Sequence, residues 1–187
     1  MKANLFKKFK QSHQGSVTVE FAFTLLFLGI MLVFMIDLVL ARSAMGKLDT
    51  ASYSLVNVLK ERSRFYAKSP TISDEDVTKL QKMAAKLLFN DPESKEVRIS
   101  VEQLRHESDG SVNVSRKGDI NSCQAATALR AELSPYSQAL EAVDRKQLFV
   151  YQVTLCMNIT SPFRYFLLHK DNRVEHGIRS SSVGVGR

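Results

Sequence analysis

Glu20 is an isolated acidic residue near the start of a long apolar stretch of the sequence. The stretch runs from Val17 to Leu40 and is interrupted only by Thr18, Glu20, Thr24, Gly29 and Asp37. A carboxylate inside a membrane-spanning helix costs about 2.5 kcal/mol or more, so such residues are rare and usually functional. The sequence therefore predicts a functional role for Glu20 within a membrane-spanning helix.

Gly15 lies five residues before Glu20 and marks a candidate processing site. Glycine has no side chain to clash with a peptidase that binds an extended backbone. Cleavage after Gly15 would give Ser16 a free amine, one helical turn before Glu20. The carboxylate could then pair with the amine of a neighbouring subunit, which offsets much of its desolvation cost, or with the amine of its own chain. Two alternatives stay open: Gly15 as a flexible break, and Glu20 as a headgroup-layer residue that reaches water.

The residues before this site form a basic leader. Residues 1–15 contain no acid, and their basic residues are Lys2, Lys7, Lys8 and Lys10. The chain of 187 residues has a formal net charge of +7, whereas 22 basic residues face 19 acidic ones outside the leader. Much of the positive charge is therefore local to the leader, which argues against nucleic acid as a partner.

The apolar stretch is long enough to cross a membrane. As a helix its 24 residues rise about 36 Å, and a bilayer core is about 30 Å thick. The lysines before the stretch predict that the N-terminus is cytoplasmic. A secretory signal has a shorter apolar core that precedes its cleavage site, whereas Gly15 precedes this one. Cleavage would therefore leave the helix on the mature protein, and an uncleaved signal anchor is the alternative.

The helix is expected to continue beyond the membrane to residue 66. No proline occurs between Ser16 and Ser69, and residues of one helical face recur at spacings of three and four. This face comprises Leu38, Ala41, Met45, Leu48, Ser52, Leu55, Leu59, Arg62 and Phe65. Two helices with a hinge near Gly46 remain an alternative, because glycine weakens a helix interior.

The remaining residues predict a small head with an antiparallel sheet, so the fold class is α+β. The predicted elements are a helix that Ser73 and Asp76 cap and that ends near 90–92, a hairpin with strands at 97–101 and 112–114, a helix from Cys123 to Ser134, a short helical turn at 139–143, a strand over 148–159 and an edge strand over 174–185. Phe163, Phe166, Leu167 and Leu168 are expected to form an apolar cluster. The predicted domains are the leader 1–15, the transmembrane helix 16–41, its amphipathic continuation 42–68 and the exported head 69–187.

Cys123 and Cys156 both lie in the predicted head, and an exported pair predicts one disulfide. Two buried thiols are the alternative. On the strand over 148–159, Cys156 faces away from the main apolar side, so the bond would attach a flanking loop or helix. The four histidines are isolated, and no phosphate loop, nucleophile motif or metal-ligand spacing is found in the sequence. No cofactor, no metal site and no enzymatic activity is therefore expected.

The leader, Gly15, the pair Glu20-Phe21 and the long apolar helix resemble the prepilins of type IV-like pili. The run Gly-Ser-Val-Thr-Val-Glu-Phe-Ala over 15–22 resembles the TadE/TadF class of pseudopilins in the tight-adherence (type IVc-like) system, and the chain is more similar to TadF. The resemblance extends to Ile36-Asp37, to 51–55 and 61–63 in the helix, and to the cysteine-bearing strand 151–156.

This resemblance implies a minor pilin-like subunit that a prepilin peptidase cuts between Gly15 and Ser16, with Glu20 and Phe21 at the assembly site. Its role would be to initiate or regulate assembly of a pilus for adhesion and biofilm formation. The implied partners are the peptidase, a TadE-like minor pilin, the major pilin, inner-membrane platform proteins and membrane lipid. The implied location is the bacterial inner membrane, with one span and a periplasmic head, or the extracellular pilus. An uncleaved envelope domain for binding or sensing is the alternative.

Overall fold

The computed structural model describes residues 14–66, 71–106, 111–130, 149–163 and 175–186. The helices are α1 (Gln14–Tyr66) and α2 (Asp74–Phe89), and the strands are β1 (Val97–His106), β2 (Val112–Gly118), β3 (Val150–Thr160) and β4 (Glu175–Val185). The chain divides into two compact units. Of the described residues, the first unit contains 14–41 and 161–163, and the second contains the rest. The predicted α+β class is confirmed.

Helix α1 is continuous from Gln14 to Tyr66, so it does not divide at Gly46. Two threonine hydroxyls of this helix form hydrogen bonds within it. Thr24 donates to the carbonyl of Glu20, and Thr50 donates to the carbonyl of Gly46, each one turn earlier. These hydroxyls are satisfied within the helix itself, which suits polar residues on a helix that has an apolar surface.

Residues 161–163 pack on α1 within the first unit. The rings of Phe34 and Phe163 meet edge to face, with their centroids 5.3 Å apart. The hydroxyl of Ser161 donates a hydrogen bond of 3.0 Å to the carboxylate of Asp37. An apolar contact and a charge-assisted hydrogen bond therefore fix this short segment against the helix.

The second unit is built on one antiparallel sheet with the strand order β2-β1-β3-β4. β1 and β2 form the predicted hairpin, with Leu104 opposite Val114. β3 pairs with β1 on one side and, along its whole length, with β4 on the other. β4 is the edge strand that the sequence predicts.

Both helices pack on the same face of this sheet. Leu48, Leu55 and Leu59 of α1 are buried there, and Val77, Leu80 and Ala84 of α2 join them. The sheet contributes residues two positions apart, as the alternation of a strand requires: Val97, Ile99, Val101, Tyr151, Val153 and Leu155. Burial of this apolar area is the main term that stabilises the head.

Local signals set the bounds of α2. Ser73 caps its N-terminus: the Ser73 hydroxyl accepts from the backbone N–H of Asp76, whose carboxylate accepts from the backbone N–H of Ser73. Asn90 ends the helix in the left-handed conformation with φ 57°, which asparagine tolerates better than most residues. The predicted capping pair and the predicted end of this helix are confirmed.

The predicted helix from Cys123 to Ser134 is wrong over residues 123–130, which form turns and extended chain. The backbone groups there bond to the sheet instead of to each other. The N–H of Leu129 donates to the carboxylate of Glu102 at 2.9 Å, and the carbonyl of Thr127 accepts from the Gln152 amide at 2.9 Å. A tertiary network thus overrides the apolar spacing that favours a helix.

Several predictions lie outside the described residues. They are the leader over residues 1–13, the end of the rejected helix at 131–134, the helical turn at 139–143 and the part of the apolar cluster beyond Phe163, which is Phe166, Leu167 and Leu168. The side chains of Arg62 and Phe65 also belong to this group.

Candidate functional site

The candidate processing site lies in the first turn of α1. This helix begins at Gln14, so the backbone of Gly15 and Ser16 is helical. A peptidase that binds an extended backbone would therefore require this turn of the helix to unwind at Gly15 and Ser16.

Glu20 lies on the outer surface of α1, one turn after Ser16. Positions four apart share a face of a helix, so Glu20 is on the face that begins with Ser16. Large apolar side chains surround it on the helix surface, and Val19 and Phe21 are 54% and 62% exposed. This arrangement places one carboxylate on an apolar surface, where a cation from another chain can reach it.

The apolar surface continues along the helix. The segment Val17–Glu61 is long and apolar enough to cross a membrane, and no part of its most apolar window is buried inside the protein. The exposed residues include Phe23, Leu26, Phe27, Met31, Leu32 and Val39. An apolar surface of this extent needs lipid or other apolar chains around it. The helix therefore fits a membrane anchor by its length and composition.

Asp37 is the second acid of the apolar stretch, and its environment differs from that of Glu20. It is half-buried, and it accepts the hydrogen bond from Ser161 described above. Sequence reasoning does not detect this contact, because 124 residues separate the two positions. A serine beside a proline after a strand carries no signal for a helix more than a hundred residues earlier.

Cys123 and Cys156 form the predicted disulfide, with their Cα atoms 5.6 Å apart. Cys156 lies on the face of β3 away from the helices, as its place in the alternation predicts, and Cys123 is fully buried against it. The bond thus holds residues 119–130 over the second face of the sheet. The sequence predicts that the bond attaches either a flanking loop or a flanking helix, and the segment it attaches is a loop.

Buried polar contacts support the same segment. The carboxylate of Glu102 is largely buried, accepts from the backbone of Leu129 and pairs with the guanidinium of Arg116 at 2.9 Å. Glu102 therefore satisfies a backbone donor that no helix satisfies, and Arg116 balances its charge. The alternation of β1 places Glu102 on the second face, but nothing in the sequence links it to Leu129.

Among the described residues, no group of three or more histidine, cysteine, aspartate or glutamate side chains could hold a metal ion. The candidate site is the N-terminal part of α1, where Gly15, Ser16, Glu20 and Phe21 lie along one apolar helix. The disulfide is a separate, structural feature of the second unit.

Comparison with known families gives one match. The model of the family TadF, described as "Putative tight adherence pilin protein F", matches residues 8–187, nearly the whole chain. A search of the curated proteins and a search of the solved structures found no match. The matched region contains the candidate processing site, Glu20 and both cysteines.

Proposed function

The chain belongs to the TadF family of tight adherence pilin proteins, and from this premise we propose that it is a minor subunit that starts or regulates assembly of the pilus. A prepilin peptidase cuts it after Gly15, and the apolar part of α1 keeps the mature subunit in the inner membrane until assembly. Its role is structural, and it catalyses no reaction. The family match over residues 8–187 is the observation that carries this proposal.

The processing step has support from the order of residues. A leader with four lysines and no acid ends at Gly15, and the apolar helix follows at once. The lysines hold the leader on the cytoplasmic side, where a membrane peptidase can reach the peptide bond between Gly15 and Ser16. Cleavage converts a neutral peptide group into a free amine at the membrane surface.

The assembly step uses Glu20 and this new amine. Glu20 is exposed on a helix whose surroundings at this depth are apolar side chains such as Phe21. A carboxylate in such surroundings carries a desolvation cost, and a cation from an adjacent subunit would remove much of that cost. Pairing of Glu20 with the Ser16 amine of the next subunit would therefore favour side-by-side packing of α1 helices in one register.

The partners follow from this role. The subunit meets the prepilin peptidase first, then a TadE-like minor pilin, the major pilin and the inner-membrane platform proteins. The peptidase acts at the cytoplasmic surface. The later partners can bind within the membrane, where α1 supplies apolar surface, or on its outer side, where the disulfide-bonded unit lies.

Coexpression with a prepilin peptidase tests the processing step. We expect intact-mass measurement and N-terminal sequencing to give a mature chain that begins at Ser16. The Gly15→Leu variant should keep its leader, because a bulky side chain blocks the bound backbone. The control is Gly29→Leu, which places the same side chain where a Cβ atom meets nothing within 4 Å, and which should be cut normally.

A wild-type chain that still begins at Met1 in cells with active peptidase would contradict the processing step. It would favour instead the uncleaved, signal-anchored envelope domain.

A further inference from the structure

An apolar groove lies along the second unit, between the outer part of α1 and helix α2. It consists of two adjoining hollows of about 400 and about 630 Å³, which share Ser54 and Leu87. The residues that line the larger hollow include Val58, Met83 and Leu87, which are 52%, 44% and 59% exposed. Exposed apolar side chains that adjoin each other in a groove are typical of a binding surface.

Helix α2 has one apolar face that packs on the sheet and a second, exposed face that combines lysines with two apolar residues. Val77, Leu80 and Ala84 are buried against the sheet. The other face carries Lys79, Lys82, Met83, Lys86 and Leu87, at helical spacings of three and four, and all five are exposed. All five residues line the larger hollow, and we call the three lysines the lysine rim.

Helix α1 contributes small side chains to the other part of the groove. Ser43, Gly46, Thr50 and Ser54 follow each other at spacings of three and four along one face. A Cβ atom on Gly46 would meet nothing within 4 Å, so the fold of this chain does not require a glycine there. Glycine in a helix interior is unfavourable for the helix itself, whereas small residues let another backbone approach closely.

The groove has the length of a helix of about four turns. It extends along α1 from Ser43 to Val58, and fifteen residues of helix rise about 22 Å. Lys79, Lys82 and Lys86 line its rim, together with Lys47 in the smaller hollow. Lys82 already pairs with Glu93 at 2.8 Å in an exposed ion pair, and such pairs are weak and exchange readily.

We infer that this groove binds one amphipathic α-helix of another protein, with an apolar face on Val58, Met83 and Leu87 and with carboxylates opposite the lysine rim. Positive charge along the rim selects acidic flanks in the partner. The small residues from Ser43 to Ser54 set the distance between the two helix axes. Helix-in-groove docking of this kind uses anchors at spacings of three, four and seven. The surface is separate from Gly15 and Glu20, so the inference does not depend on processing of the leader.

The test measures binding of synthetic helical peptides to the full chain in nanodiscs. Each labelled peptide has about 15 residues, with leucine and alanine on one face. One version carries glutamate on both flanks, and a matched version carries lysine there. We expect the glutamate peptide to bind, to weaken as salt rises, and to bind more tightly than the lysine peptide by about tenfold or more. Empty nanodiscs measure the binding to lipid alone.

Two variants locate the binding. Gly46→Leu places a side chain in the smaller hollow, at a position where a Cβ atom meets nothing within 4 Å. It should weaken binding of the glutamate peptide by about tenfold or more. Replacement of Lys79, Lys82 and Lys86 with glutamate reverses the charge of the rim. This variant should bind the lysine peptide more tightly than the glutamate peptide. Matched controls are Lys95→Glu and Val183→Ser, which change exposed residues outside the groove and should leave binding unchanged. Melting temperatures and nonreducing gels show whether each variant keeps its fold and its disulfide.

Equal binding of both peptides, no binding of either, or glutamate-peptide binding that Gly46→Leu leaves intact would each overturn the inference. Binding of the peptides to empty nanodiscs at the same strength would do so as well, because it would assign the effect to lipid. Correct cleavage after Gly15 is compatible with every one of these results, so a failure here is distinguishable from a failure of the proposed function.

Discussion

Glu20 is the residue on which the proposed assembly step depends. It is exposed on α1, and the four residues on either side of it include Val17, Val19 and Phe21, all more than half exposed. Because Glu20 is exposed on α1, Glu20→Leu should leave the protein folded and inserted. Loss of the pairing with the Ser16 amine should strongly reduce incorporation into the assembly machinery. Pilus yield and co-purification with pilus proteins measure this effect.

The comparison that isolates charge at this position is Glu20→Gln, which keeps the shape of the side chain. We expect Glu20→Gln to reduce incorporation almost as much as Glu20→Leu does, because a neutral amide cannot offset the charge of a buried amine. The control Thr24→Val removes a hydroxyl whose hydrogen bond stays within the helix and should assemble normally. Normal pili with Glu20→Leu would remove Glu20 from the mechanism.

Among the secondary-structure elements, helix α1 and the edge strand β4 are in close contact. The hydroxyl of Ser52 is fully buried and makes hydrogen bonds of 3.1 and 2.7 Å to the hydroxyls of Ser180 and Ser182. Two residues further along β4, a Cβ atom on Gly184 would overlap Cγ1 of Val56. Small residues on β4 thus let the helix approach the strand closely, and hydroxyl pairs replace apolar contacts there.

Gly184→Ala should therefore destabilise the head, by about 1–3 kcal/mol, since Val56 is β-branched and has little freedom to move away. The matched control is Gly177→Ala on the same strand, where a Cβ atom makes an ordinary contact of 3.6 Å to Asn158, and little change is expected. Urea denaturation followed by tyrosine fluorescence measures both, because the chain has 5 tyrosines and no tryptophan. Val56→Ala combined with Gly184→Ala should recover part of the loss, and an unaltered Gly184→Ala variant would contradict the close contact.

The disulfide attaches residues 119–130 to β3, and it spans 33 residues of sequence. In the chain-entropy model, removal of a cross-link of this length costs about 3–4 kcal/mol. The double variant Cys123→Ser, Cys156→Ser should lose stability of this order in denaturation experiments. Hydrogen exchange should increase first at the Leu129 N–H, which donates to Glu102 and belongs to the segment that the disulfide no longer holds. The amides of β3 should keep their protection. Dithiothreitol should lower the stability of the wild type and leave that of the double variant unchanged. Equal stability of the two proteins without dithiothreitol would show that the bond has no structural role.

Prediction from sequence succeeds for elements whose signals are local. The proline-free apolar periodicity gives α1, the Ser73–Asp76 pair gives the start of α2, and alternation gives the strands. It fails at residues 123–130, where apolar spacing indicates a helix but bonds from Glu102 and Gln152 hold the segment extended. Long-range contacts with the same segment also explain why the polar residues Gln152 and Thr154 of β3 are buried. A sequence pattern shows which residues can be buried, whereas long-range partners such as Asp37 with Ser161 require the folded chain.

At the scale of the whole molecule, the distribution of charge predicts how the chain is oriented in the membrane. Four lysines and no acid precede the apolar stretch, while basic and acidic residues nearly balance beyond it. Because basic residues close to a span remain on the cytoplasmic side, the leader should be cytoplasmic and the disulfide-bonded unit periplasmic. An oxidising compartment for Cys123 and Cys156 agrees with the bond between them.

Single-cysteine labelling tests this orientation in intact cells. Lys95→Cys places a thiol on an exposed position of the second unit, and Lys7→Cys places one in the leader of cells that lack prepilin peptidase. A membrane-impermeant maleimide should label residue 95 at once and residue 7 only after permeabilisation, whereas the two native cysteines are bonded and do not react. Replacement of Lys7, Lys8 and Lys10 with glutamate should reduce the fraction in this orientation, because the lysines are its physical cause. Labelling of residue 7 in intact cells would indicate the opposite topology. In that topology Gly15 is out of reach of a peptidase on the cytoplasmic face.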